Sequence, residues 1–106
     1  MKPPRTVLVG PHSYRVVLVP DGVLDDAGRY GHASLERLVI ALDDAQPPSQ
    51  MADTLLHELG HALLASVNLE EETEERVCLA LGPGLLALFA DNPGLHPYLI
   101  SSKETQ

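Results

Sequence analysis

Apolar positions recur in two rhythms along this chain, and the change from one to the other divides it. Near the start, β-branched residues dominate the runs TVLV and YRVVLV, with Gly10, Pro11, His12 and Ser13 between them. Such runs parted by turn residues predict a hairpin, with strands over residues 6–9 and 14–19. Pro20-Asp21-Gly22 predicts a turn, and residues 25–34 (DDAGRYGHAS), with glycines at 28 and 31, predict a loop. Residues 38–42 (LVIAL) predict a third strand, and residues 43–48 a connection out of it.

The rhythm then becomes helical. Leu55, Leu56, Leu59, Ala62, Leu63 and Val67 recur at helical spacing, with alanines between. Ser49, after Pro47-Pro48, is the expected N-cap, Asp53 the favourable acid of the first turn, and Asn68 the stop. A second helix is predicted to begin within residues 70–73 and run through VCLAL. Gly82-Pro83-Gly84 should interrupt it, since an interior proline removes a backbone donor. Residues 85–90 resume the pattern, and Asp91-Asn92-Pro93-Gly94 stops it. Residues 95–100 are apolar enough to pack back onto the core, and residues 101–106 are expected to fray. Strands first and helices second give an α+β class: a small three-stranded antiparallel or mixed sheet on a first helix and a second, proline-interrupted one.

Composition narrows the setting. The 106 residues suit a single domain over 1–106, and 44 % hydrophobic with 21 % charged residues is ordinary for a globular chain. No apolar run approaches the ~20 residues that a membrane crossing needs. The basic start MKPPRTVLVG is too short in its apolar part for a signal-peptide core. A lone Cys78 excludes an internal disulfide and fits a reducing, cytoplasmic setting. The net charge of −8 argues against a nucleic-acid partner, because phosphate contacts need clustered Lys and Arg. Much of that charge lies in Glu70, Glu71, Glu72, Glu74 and Glu75, which reads as a solvated helix start.

One stretch carries chemistry that spacing alone can name. His57-Glu58-Leu59-Gly60-His61, within LLHELGHALL, is an HExxH motif. Residues four apart share a helix face, so both imidazoles can reach one ion. Glu58 sits one step on, about 100° round the helix, and can lean toward the open side. Two neutral imidazoles suit Zn²⁺, and a carboxylate that does not bind the metal can take a proton from the attacking water. Shuffling this composition would yield the motif in roughly 2 % of chains, so its context matters. That context is a leucine-rich helix, where two histidines and a glutamate without partners would be costly. The parts are those of a zinc hydrolase, most often a peptidase.

A catalytic zinc normally has three protein ligands and an open position. Downstream of His61 the candidates are the glutamates of the second helix and His96. If that helix packs antiparallel on the first, spacing leaves Glu71, Glu74 and Glu75 open. LLHELGHALL followed by TEERVCLALGPGLLALFADNP resembles the small phage- and prophage-encoded zinc metallopeptidases of the gluzincin type, and more distantly the ImmA/IrrE-type peptidases. The resemblance covers about residues 35–97. It implies a minimal zincin-like fold and a second helix with Glu followed by Phe-Ala four and five residues on. Glu75 with Leu79-Ala80 matches that pattern best and so inherits the ligand role, with Glu74 the alternative. Pro83 departs from the continuous helix of these proteins, and the helix that larger zincins place before the sheet is absent.

The resemblance therefore implies a zinc metalloendopeptidase with His57, His61 and Glu75 as metal ligands and Glu58 as general base. The substrate would be a protein or peptide, held in extended form by residues 38–42 as the edge strand beside the motif helix. The competing expectation is a non-catalytic, zinc-stabilised binding module, a phage or host-interaction factor, with His96 or Cys78 closing a four-ligand site. Tyr30, His32, His96 and Tyr98 are the available oxyanion donors, and none is singled out. Cys78 reads as a small core residue and His12 as part of a turn.

Overall fold

The computed structural model describes residues 1–24 and 30–104. Four strands, β1 (Thr6–Val9), β2 (His12–Val19), β3 (Gly31–Ser34) and β4 (Val39–Asp43), precede three helices, α1 (Pro48–Leu64), α2 (Glu71–Asp91) and α3 (Leu95–Glu104). The class is α+β, with four strands rather than three. The sheet order is β1-β2-β4-β3: β1 and β3 run antiparallel to their neighbours, while β2 and β4 are parallel.

The hairpin forms with a tighter turn than the sequence indicated. Val9 pairs with His12, leaving only Gly10 and Pro11 as the loop. Gly10 has φ +58°, as the first position of a type II′ hairpin turn demands of a glycine. His12 and Ser13 are therefore strand residues. The segment GHAS, read as loop, is β3. Its composition has little strand propensity, and its conformation comes from pairing with β4 through Gly31–Leu42 and Ala33–Ile40. The rest of the expected loop, residues 25–29, lies outside the described residues. Between β3 and β4, Leu38 takes φ +57°, a costly conformation for a leucine. Its side chain packs on the core and its carbonyl accepts the Arg15 N–H at 3.0 Å, which together offset the strain.

This topology overturns the expected edge strand. β4 lies between β2 and β3, so the segment 38–42 cannot offer a free edge; among the described residues β3 does. β4 is central because it brings the apolar alternation: Ile40 and Leu42 are wholly buried, each contributing about 1.5–3 kcal/mol, whereas β3 has nothing comparable.

One sheet face carries the core. Tyr14, Val16, Ile40 and Leu42 meet Ala62 of α1, with Met51, Leu55 and Leu59 packed around them at intervals of four. Helix α1 begins and ends earlier than the sequence indicated. Pro47 is its N-cap residue and Pro48 its first residue, where a missing N–H costs nothing, so Ser49 and Asp53 fall inside. It stops at Leu64, leaving Leu63 and Val67 exposed.

Helix α2 lies antiparallel on α1: His61 meets Glu74, Gly60 meets Cys78, and Asp53 meets Gly82. The two glycines allow the close approach. A Cβ on Gly60 would stand 2.9 Å from Cys78 Sγ, and one on Gly82 would overlap the Asp53 carboxylate. Contrary to expectation, α2 runs unbroken through Pro83. The carbonyl that Pro83 leaves without a helical donor is that of Leu79, a residue 59 % exposed, so water can satisfy it. The tail also differs from expectation. Residues 95–104 form α3, bent by 95° from α2, with Tyr98, Leu99 and Ile100 exposed rather than packed on the core. Helical structure thus reaches four residues into the segment expected to fray, and residues 105–106 lie outside the described residues. Among the described residues no single helix is long and apolar enough to cross a membrane.

Candidate metal centre

The site forms where α1, α2 and β3 converge. His57 and His61 stand one turn apart on α1, their ring centroids 5.1 Å apart and their planes inclined by 70°. Glu75, in the second turn of α2, spans the gap. Its Oε1 is 2.9 Å from His57 Nε2 and its Oε2 is 3.1 Å from His61 Nε2. These three residues can each offer one ligand atom within 4.8 Å of the others, a group able to hold a metal ion.

Glu74 does something different. Its Oε2 lies 2.7 Å from His61 Nδ1, on the other side of the same ring. Glu71 lines the cleft without joining the group. Cys78 is wholly buried against Gly60, and His96 packs edge-on against Phe89 with centroids 5.8 Å apart, so neither enters the cluster. Tyr30 and His32 line the cleft beside the histidines, whereas Tyr98 projects from α3, 68 % exposed.

Glu58 is buried between α1 and β3, and its Cγ faces Gly31, where a Cβ would stand only 3.1 Å away. Burial raises its pKa, against the opposing pull of His57 and His61. A carboxyl so placed is poised to exchange a proton, because its charged form has lost part of its hydration. For His61, burial acts to lower the pKa, but the hydrogen bond to Glu74 and the charges of Glu58, Glu75 and Glu74 outweigh it. The net shift is upward.

A buried brace that the sequence did not reveal fixes the cleft. Gln46 Nε2 donates to the carbonyls of Tyr30 and Asp43, both at 3.0 Å, and Thr54 Oγ1 donates to Gln46 Oε1 at 2.8 Å. This ties the start of β3, the end of β4 and helix α1 together. Gly31 belongs to the same region, since a Cβ there would lie 2.5 Å from Thr54 Cγ2. A lone glutamine in a loop and a glycine in a supposed loop carry no signal that would have found either.

Comparison with known proteins gives one finding. The family model of the IrrE N-terminal-like domain, Peptidase M78, matches residues 12–80, from β2 through the first half of α2. No curated protein and no solved structure matches the chain.

Proposed function

Since the chain belongs to the IrrE N-terminal-like family, Peptidase M78, we propose that it is a zinc-dependent endopeptidase of the gluzincin type with a minimal zincin-like fold. His57, His61 and Glu75 hold the metal and Glu58 is the general base. The observation that carries this reading is the Glu75 carboxylate set between both Nε2 atoms, with Glu58 buried alongside.

The donor set fits zinc. Two imidazole nitrogens and a carboxylate oxygen, within 4.8 Å of one another, are the donor types of a catalytic zinc site. When bound, zinc lowers the pKa of water and polarises a carbonyl. The chain's own residues supply the rest. Glu58, its charged form disfavoured by burial, takes the proton of the attacking water and returns it to the leaving amine. Strand β3, whose outer edge is unpaired among the described residues, offers backbone groups to an extended peptide beside the histidines. Peptide or protein substrates follow from this reading; nucleic acid does not, given the charge of −8.

The test is cleavage of a peptide library by wild type and by Glu58→Gln, each with and without a chelator. Cleavage by the wild type, abolished both by Glu58→Gln and by chelation, supports the proposal. Equal cleavage in all samples, or none by zinc-loaded wild type, refutes it.

A further inference from the structure

We propose that Glu74, the residue before the third ligand, is a positioning residue for His61, holding its ring so that Nε2 rather than Nδ1 is the metal-binding atom. This rests on the zinc site proposed above. The argument begins with the ring. His61 meets a carboxylate on each side: Glu74 Oε2 at 2.7 Å from Nδ1 and Glu75 Oε2 at 3.1 Å from Nε2. Both ring nitrogens face a carboxylate acceptor, and the shorter, hydrogen-bonded contact is the one at Nδ1, which favours keeping the proton there when Nε2 gives its own up to a metal. A neutral imidazole protonated at Nδ1 leaves its lone pair on Nε2, the atom facing Glu75 and His57.

Placement on the helix makes the two glutamates complementary. Consecutive residues lie about 100° apart round a helix, so Glu74 and Glu75 reach opposite sides of a ring from the neighbouring helix. The Glu74 side chain is 23 % exposed against 48 % for Glu75, so the orienting carboxylate is the more shielded. Its backbone N–H bonds to the Glu70 carbonyl at 2.9 Å, which fixes it in the first closed turn of α2. His57, by contrast, has only Glu75 as a hydrogen-bonding or ionic side-chain partner among the described residues. The effect of Glu74 is therefore specific to one of the two histidines. Outer hydrogen-bond partners of this kind typically change metal affinity about 10- to 100-fold.

The test measures zinc affinity by chelator competition in wild type, Glu74→Ala, Glu74→Gln and Glu75→Ala, with helix content followed by circular dichroism. It is paired with long-range ¹⁵N–¹H correlation spectra of the zinc-loaded wild type, which report the tautomer of His61. The expected result is Nδ1–H with metal on Nε2 in the wild type. Glu74→Ala should bind zinc about 10- to 100-fold more weakly with its helix content intact. Glu74→Gln, which keeps an acceptor but loses the charge, should fall between. Metal on His61 Nδ1 overturns the proposal without any variant. Zinc binding by Glu74→Ala within twofold of wild type, while Glu75→Ala loses the metal, overturns it and leaves the zinc site standing. Loss of zinc in Glu74→Ala but not in Glu75→Ala also overturns it, because Glu74 would then be the ligand. A wild type that binds no zinc fails the metal reading itself, and this assignment with it.

Discussion

Replacing Gly31 with alanine should separate the two tasks of the site. The new Cβ would stand 2.5 Å from Thr54 Cγ2, 3.1 Å from Glu58 Cγ and 3.4 Å from the Ala41 carbonyl. Ordinary carbon contacts are about 3.5–4.0 Å, so β3 and α1 must part by roughly 1 Å at this point. Thr54 cannot simply turn away, because its hydroxyl is committed to Gln46, which in turn holds Tyr30 and Asp43. Overpacking of this size costs about 1–3 kcal/mol, so the melting temperature should fall by several degrees. His57, His61 and Glu75 are not among the atoms in the clash, so zinc affinity should change little. Glu58 and the edge strand are displaced against one another, and a misplacement of about 1 Å can cost about 10²-fold in kcat/KM. Adding Thr54→Ser removes Cγ2 yet keeps the hydroxyl, and should restore most of the stability and part of the rate. The assay is thermal unfolding, zinc competition and peptide turnover on the four proteins of this cycle. Wild-type stability and rate in Gly31→Ala, or no recovery of stability in the double variant, would refute the packing argument.

Two further outcomes follow from titrating groups. Cys78 is wholly buried and its thiol is pushed up to about 11 by burial and by Glu74, Glu75 and Glu58. Ellman's reagent should therefore find no reactive thiol in the native protein and one after denaturation, and rapid native labelling would contradict the burial. In the metal-free protein, His61 and Glu58 both have raised pKa values, so the folded state binds their protons more tightly than the unfolded chain. The His61 contribution is complete below its ordinary value of about 6.5 and is lost as pH rises through its higher folded value. Chelated protein should thus melt at a higher temperature near pH 6 than near pH 8. The increment in melting temperature on adding zinc should grow with pH, because the metal competes with that proton. A metal-free melting temperature that rises from about pH 6 to pH 8 would contradict the assignment.

How far the sequence could be read depended on how local each feature was. HELGH was legible because a helix fixes the relation of His57 to His61 within one turn. The first hairpin was legible because its strands are β-branched and its turn carries Gly10. Strand β3 was not, since GHAS becomes a strand only by lying against β4, whose apolar residues take the centre of the sheet. That exchange of places moved the free edge from the segment 38–42 to β3. Which glutamate joins the histidine pair was legible only to within a step. Glu74 and Glu75 differ by about 100° of helix phase, and the rotation of α2 on α1 is set by the contacts of Gly60 with Cys78 and Gly82 with Asp53. Pro83 misled for a related reason: its missing bond falls at the exposed Leu79, where water can replace it.

The central claim is a metal held by His57, His61 and Glu75, with Cys78 set apart in the interface between α1 and α2. X-ray absorption at the zinc edge of the loaded protein tests it most directly. The account predicts one equivalent of zinc with nitrogen and oxygen neighbours only, at about 2.0–2.2 Å, including the scattering signature of two imidazoles. A sulfur neighbour at about 2.3 Å, or a site with more than two imidazoles, would contradict it.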